Sequence, residues 1–313
     1  MSLKPRVGIS SCLLGRPVRY NGGHKRHDWL VDELGKWVIW VPVCPEMEMG
    51  LGAPRESMSL VADPAYRHPR LIANKSRRDL TALAVKTSRR LIDSLGELDG
   101  YVLKKNSPSC GLERVKRYGL KGAPIGTGPG LFAERLRRQF PELALIEEGR
   151  LTNPEDREHF VTRLFASLAL RAVVPRVSAI QKFHEHYKLL LMAHSPTHYR
   201  ELGRIAAGSA GRSADEVLRA YGSHFKAALS MPTSTKKRVN VLQHVFGYFS
   251  PELSAKERTS LLGAMEKYRL GELSFLAALT LIEHTLSQHP VPYLEGQLFF
   301  EPYPKALALR RYL

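Results

Sequence analysis

Lys104-Lys105-Asn106-Ser107-Pro108-Ser109-Cys110-Gly111 follows directly on the apolar run Tyr101-Val102-Leu103, and the reading of this junction decides the fold. An apolar run of strand length that gives way to lysines, serines, a proline and a thiol closed by glycine is how α/β proteins build a site at the carboxyl end of a strand. The chain has three cysteines, and the other two stand in the same kind of place. Cys12 comes just after Val7-Gly8-Ile9-Ser10, and Cys44 just after Trp37-Val38-Ile39-Trp40-Val41. Three thiols at three strand ends are expected to meet above one sheet.

Outward from this junction the pattern alternates. Strands are expected over 6–11, 37–43, 58–62, 100–103 and 143–147. A helix is expected over 24–34, another from a cap at Asn74 or Ser76 to about Leu95, and a third over 131–139, with Gly119–Gly130 read as a glycine-rich loop. Such alternation implies a three-layer α/β domain with a mainly parallel sheet. Asn153-Pro154 opens a helix by cap-then-proline logic, reaching about Val174. Beyond Pro175 no strand pattern appears. Helical periods recur over 177–193, 196–207, 214–229, 235–249, 254–270 and 273–288, and Ser213…Glu216 and Ser254…Glu257 have capping-box spacing. The closing stretch from Pro290, rich in proline and aromatics, is expected to wrap the surface. Residues 1–174 are therefore read as the α/β domain, and residues 175–313 as an all-helical one.

Composition narrows the function. No apolar run reaches the roughly 20 residues of a membrane helix, and Met1-Ser2-Leu3-Lys4-Pro5 lacks the apolar core of a signal peptide, so a cytoplasmic protein is expected. An odd cysteine count without close spacing favours reduced thiols or metal ligands over a disulfide framework. The net charge of +17, spread over both halves, suits a polyanionic partner, nucleic acid first. Arg77, Arg78, Arg89, Arg90, Lys236, Lys237 and Arg238 are candidate phosphate contacts, though each also fits a solvated face.

The residues alone leave two readings of the thiols open: three packed core cysteines, or a metal or cluster site. Structural zinc prefers four ligands in short paired spacings, absent here. Three thiolates without a fourth protein ligand suit an iron–sulfur cluster with one iron open, a place for a soft substrate atom such as sulfur. Glu46 and Ser107 stand beside the thiols in sequence and are candidates for proton handling; the plain alternatives are a strand-end carboxylate and a turn serine. His184, His186, His194 and His198 group in sequence, but Pro196 falls within the group, and a solvated or packing role is expected.

The stretches SSCLLGRPVRYNGG, VPVCPE and KKNSPSCG resemble the three signature blocks of the TudS-type thiouracil desulfidases. HYKLLLMAHS, NVLQHVFGYF and YLEGQLFFEPYP resemble the YbgA-type helical domain, and the two joined in this order are similar to the RudS desulfidases, which turn 4-thiouridine in tRNA into uridine. The resemblance implies a 4Fe-4S cluster on Cys12, Cys44 and Cys110, with catalytic roles for Glu46 and Ser107. Arg16-Pro17-Val18 departs from the cysteine-bearing loop of some members without touching a ligand position. The chemistry so implied is non-redox: a thiocarbonyl sulfur would be the guest of the open iron, water activated by Glu46 or Ser107 would attack the ring carbon, and hydrosulfide would leave. Three functions follow as expectations: a desulfidase acting on tRNA, one acting on a small thiolated pyrimidine or its nucleotide, or a non-catalytic nucleic-acid-binding protein with a structural cluster.

Overall fold

The computed structural model of the protein describes residues 3–62, 68–208 and 211–313. The chain divides into two units, Met1–Asn153 and Pro154–Leu313. The division falls earlier than the expected residue 174 because the helix that Pro154 opens contributes Ala166 and Leu170 to the core of the helical unit.

In the first unit β1 (Arg6–Ser10), β2 (Ile39–Val43), β3 (Met58–Val61), β4 (Arg70–Ala73), β5 (Gly100–Leu103), β6 (Val115–Tyr118), β7 (Pro124–Gly128) and β8 (Ala144–Glu147) form two four-stranded sheets. One has the order β2-β1-β5-β8, and all its pairings are parallel. Parallel neighbours need long crossovers, and the chain supplies them as expected. The helices on this part of the chain are α1 (Pro45–Glu48), α2 (Thr81–Ser94) and α3 (Leu131–Gln139). Leu91 and Ile92 of α2 and Phe132, Ala133 and Leu136 of α3 share a core with Tyr101 and Leu103 of β5. Tyr101 is fully buried across β1, and a Cβ on Gly8 would stand 2.1 Å from its ring, so only glycine fits there.

The second sheet, β4-β3-β6-β7, is mixed: β3 pairs antiparallel with β4 and parallel with β6, and β6 pairs antiparallel with β7. It accounts for two departures from the sequence reading. The glycine-rich stretch is mostly the β6–β7 hairpin, and β4 occupies the approach to α2, which therefore starts at Thr81 rather than beside Ser76. The helix expected over 24–34 shrinks to a π turn at Trp29–Glu33 followed by a 3-10 turn at Leu34–Lys36.

In the second unit α4 (Pro154–Arg171), α5 (Val177–His194), α6 (Pro196–Ala206), α7 (Ala214–Ser230), α8 (Thr235–Phe249), α9 (Ala255–Leu270) and α10 (Phe275–Gln288) follow one another, and a short α11 (Pro292–Glu295) comes after them. Both capping boxes form: the Ser213 and Ser254 hydroxyls accept from the backbone N–H of Glu216 and Glu257, and each serine N–H donates to its glutamate's carboxylate. Ser195 caps α6 ahead of Pro196, which ends α5 at His194. The closing stretch does more than wrap the surface. Leu294, Phe299 and Leu309 are buried, and Phe299 packs edge-on against Phe275. Their apolar area outweighs the proline content that suggested a strap over the surface. No helix among the described residues is long and apolar enough to cross a membrane.

Candidate active site

The site forms where the parallel sheet ends. β1 runs into a 3-10 turn, Ser11–Leu14, that carries Cys12, and Gly15 closes it with φ of 88°. β2 delivers Cys44, whose successor Pro45 starts α1 and sets Glu46 in its first turn. β5 runs into Lys104–Gly111. There Ser107 Oγ accepts from the backbone N–H of Ser109 at 3.2 Å and of Cys110 at 3.1 Å, folding the segment into a tight turn. Gly130 N donates to Gly111 O at 2.8 Å, and a Cβ at Gly130 would lie 2.5 Å from the Ser109 carbonyl oxygen, so the start of α3 is pressed against this turn.

Cys12, Cys44, Cys110, Glu46 and Ser107 all line one cavity of ≈ 370 Å³. The three thiols are free. Burial pushes the Cys12 thiol up to about 11, with the negative charge of Cys44 adding to it. Cys44 is raised by burial and by Glu46, and Cys110 lies well above the ordinary thiol range through burial and the charges of Cys44, Glu46 and Cys12. Negative charge at Cys44 thus disfavours the thiolates of Cys12 and Cys110; a bound metal would invert that balance and deprotonate its ligands. Among the described residues no three His, Cys, Asp or Glu side chains close on a point as a single-ion site would require.

Glu46 is held from both sides. Its Oε1 accepts from the Ser109 hydroxyl at 3.2 Å and from the Ser107 hydroxyl at 3.4 Å. Its Oε2 is ion-paired with Arg55. The Lys104 ammonium pairs with the buried Glu148, which also accepts from Lys105 N at 2.7 Å, and Lys104 N donates to Ser10 Oγ at 3.0 Å. These bonds pin the β5 exit to the ends of β1 and β8. Arg19, Tyr20, Lys25 and Lys105 line the same cavity on its exposed or half-exposed side. Arg55, Ser109 and Glu148 escaped the sequence reading. Arg55 lies in a stretch with neither helical nor strand period, and Ser109 was quoted only as a turn residue.

The candidate phosphate contacts are not brought into this cavity. Arg77 and Arg78 are exposed, Arg89 is exposed and 3.9 Å from Asp93, and Arg90 pairs with Glu48 at 3.0 Å. In the helical unit Lys236 is exposed, while Lys237 donates to the carbonyl oxygens of His194 and Pro232 at 2.7 and 2.9 Å. Arg238 is withdrawn from the surface set: it is 5% exposed, lies over the Phe275 ring and pairs with Glu155 at 3.5 Å. The helical period places it on the core face, where the arginine stem packs and the guanidinium finds a ring. His184 and His194 are buried and have packing roles: His184 bonds Tyr221 Oη at 3.1 Å and His194 bonds Met231 O at 2.7 Å.

Comparison with known proteins places both halves. A solved structure described as a 4Fe-4S-dependent thiouracil desulfidase, TudS, is 29% identical over 48% of this chain and 94% of that chain, with a TM-score of 0.37. The uncharacterized protein YbgA of Escherichia coli is 36% identical over 42% of this chain and 79% of its own length. The uncharacterized protein YbbK of Bacillus subtilis is 31% identical over 42% of this chain and 88% of its own length. Residues 7–148 match the family model for 2-thiouracil desulfurase, and residues 188–304 match a protein family of unknown function, DUF1722. The chain belongs to the 2-thiouracil desulfurase family, with a DUF1722 domain joined behind it.

Proposed function

We propose that the protein is a 4Fe-4S-dependent desulfidase that removes sulfur from 4-thiouridine in tRNA, giving uridine and hydrosulfide without net electron transfer. The observation that carries this reading is the convergence of Cys12, Cys44, Cys110, Glu46 and Ser107 on one cavity. Three sulfur donors that line one cavity suit iron better than a hard cation. Bound there, the cluster supplies an iron without a protein ligand, a Lewis acid for a soft sulfur atom.

The rest falls to the chain's own residues. With Oε2 tied to Arg55, Glu46 keeps Oε1 free of any cation and within reach of the two serine hydroxyls, so Oε1 is the atom that takes a proton from attacking water. Ser107 keeps its oxygen bound by two N–H groups and its proton directed at Glu46. That leaves it a poor nucleophile and a good hydrogen-bond donor. The cations along the cavity and the +17 net charge favour a polyanionic substrate. A base stacked in RNA would be splayed out to reach the thiols.

The family description favours a second substrate reading, free 2-thiouracil or another small thiolated pyrimidine. Anaerobic incubation of the iron-loaded full chain with thiolated tRNA and with free 2-thiouracil and 4-thiouracil, followed by nucleoside and free-base analysis, separates the two. The expected result is conversion of 4-thiouridine to uridine in tRNA, with apparent affinity falling steeply as salt is added. Turnover confined to the free base and indifferent to salt would replace tRNA by the small molecule. A brown, iron-loaded protein that desulfurates neither would leave the cluster a structural role.

A further inference from the structure

The guanidinium of Arg55 is 5% exposed as a side chain, and its partner Glu46 is 15% exposed. Arg55 does far more than neutralise a charge. Its Nη2 meets Glu46 Oε2, while its Nη1 donates to the carbonyl oxygens of Val18 at 3.0 Å and Gly52 at 2.7 Å. Its own backbone N–H donates to Tyr20 O at 2.7 Å. One residue therefore ties together the loop after the Cys12 turn, the stretch at Gly52 and the carboxylate two residues beyond Cys44. The same Val18 oxygen lies 4.0 Å from Cys44 Sγ, so the clamp closes on a thiol as well.

We infer that Arg55 is a positioning residue for the reaction: it takes Oε2 of Glu46 out of play and aims Oε1 at the place where the reacting atoms meet. The inference rests on the desulfidase reading and adds a residue to it. A planar fork with fixed donor directions can serve a carboxylate and two carbonyl oxygens at once; a lysine ammonium at the same place can carry the charge but not span the three. A carboxylate released from the fork keeps its chemistry and loses its aim, and a misplacement of about 1 Å costs on the order of 10²-fold in rate.

The test compares wild type, Arg55→Ala and Arg55→Lys as full chains, anaerobically loaded with iron and sulfide, each assayed for kcat and KM alongside iron content. Expected are near wild-type iron, kcat lower by about 10²-fold or more in Arg55→Ala with KM little changed, and partial recovery on adding guanidinium. Arg55→Lys is expected to fall between. A second readout needs no turnover: in the iron-free protein the melting temperature of Arg55→Ala/Glu46→Gln should lie close to that of Arg55→Ala alone, because the two side chains share one interaction. Melting shifts that simply add, or kcat losses that only track lost iron, would overturn the positioning role. A wild type inactive on every thiolated pyrimidine would overturn the reading beneath it; an active wild type matched by Arg55→Ala would overturn Arg55 alone.

Discussion

Cys44→Ser is expected to give a folded protein that binds no iron and has lost desulfidation by about 10³-fold or more, since the Lewis-acid contribution of several kcal/mol goes with the metal. Cys44 is the cleanest of the three to change because it is half-buried, whereas Cys110 is 6% exposed and sits among Leu103, Leu112 and Phe132. A serine at Cys110 puts a hydroxyl into that apolar core and costs roughly 1–3 kcal/mol of stability in addition. Iron analysis beside a melting curve separates the two effects. A Cys44→Ser protein with full iron and full turnover contradicts the ligand assignment. If activity instead falls in step with melting temperature across all three serine variants, the thiols are packing residues.

Glu46→Gln is expected to keep its iron and lose about 10²- to 10⁴-fold in kcat, the range for a missing general base. The amide preserves the shape of the carboxylate and leaves Arg55 an oxygen to donate to, so destabilisation should stay near 1–3 kcal/mol. Glu46→Ala would leave the Arg55 guanidinium buried and unpaired, which costs about 3–5 kcal/mol and muddles the result. Ser107→Ala should be milder. Its hydroxyl orients Glu46 and folds the turn ahead of Cys110, and Ser109 remains as a second donor to Oε1. Wild-type turnover by Glu46→Gln would remove the carboxylate from the chemistry.

Much of this was legible in the residues. Thiols that follow apolar runs mark strand ends whatever the sheet's order, and strands joined by helices make a parallel sheet, so Cys12, Cys44 and Cys110 could be placed at one edge from spacing alone. The helical half was read nearly residue for residue because its starts carry local signals, Ser195-Pro196 and the two capping boxes, that need no tertiary context. What failed was non-local. The mixed sheet pairs the expected strand β3 with β6 across more than fifty residues, and β4, β6 and β7 have no alternation strong enough to stand out as strands. Arg55 and Glu148 act through partners far off in sequence, and a lone charged residue in an irregular stretch gives no clue to what it will meet. Arg238 misled for the opposite reason: three basic residues in a row look like a surface patch, yet one helical turn points its members to different faces.

Anaerobic reconstitution of the full chain with iron and sulfide, followed by iron and acid-labile sulfide analysis against the triple variant Cys12→Ser/Cys44→Ser/Cys110→Ser, is the most direct measurement of the central claim. The account predicts about four irons and as many sulfides per wild-type chain, as a 4Fe-4S cluster requires, and none retained by the variant. Iron that fails to bind, or binds equally without the three thiols, would contradict it.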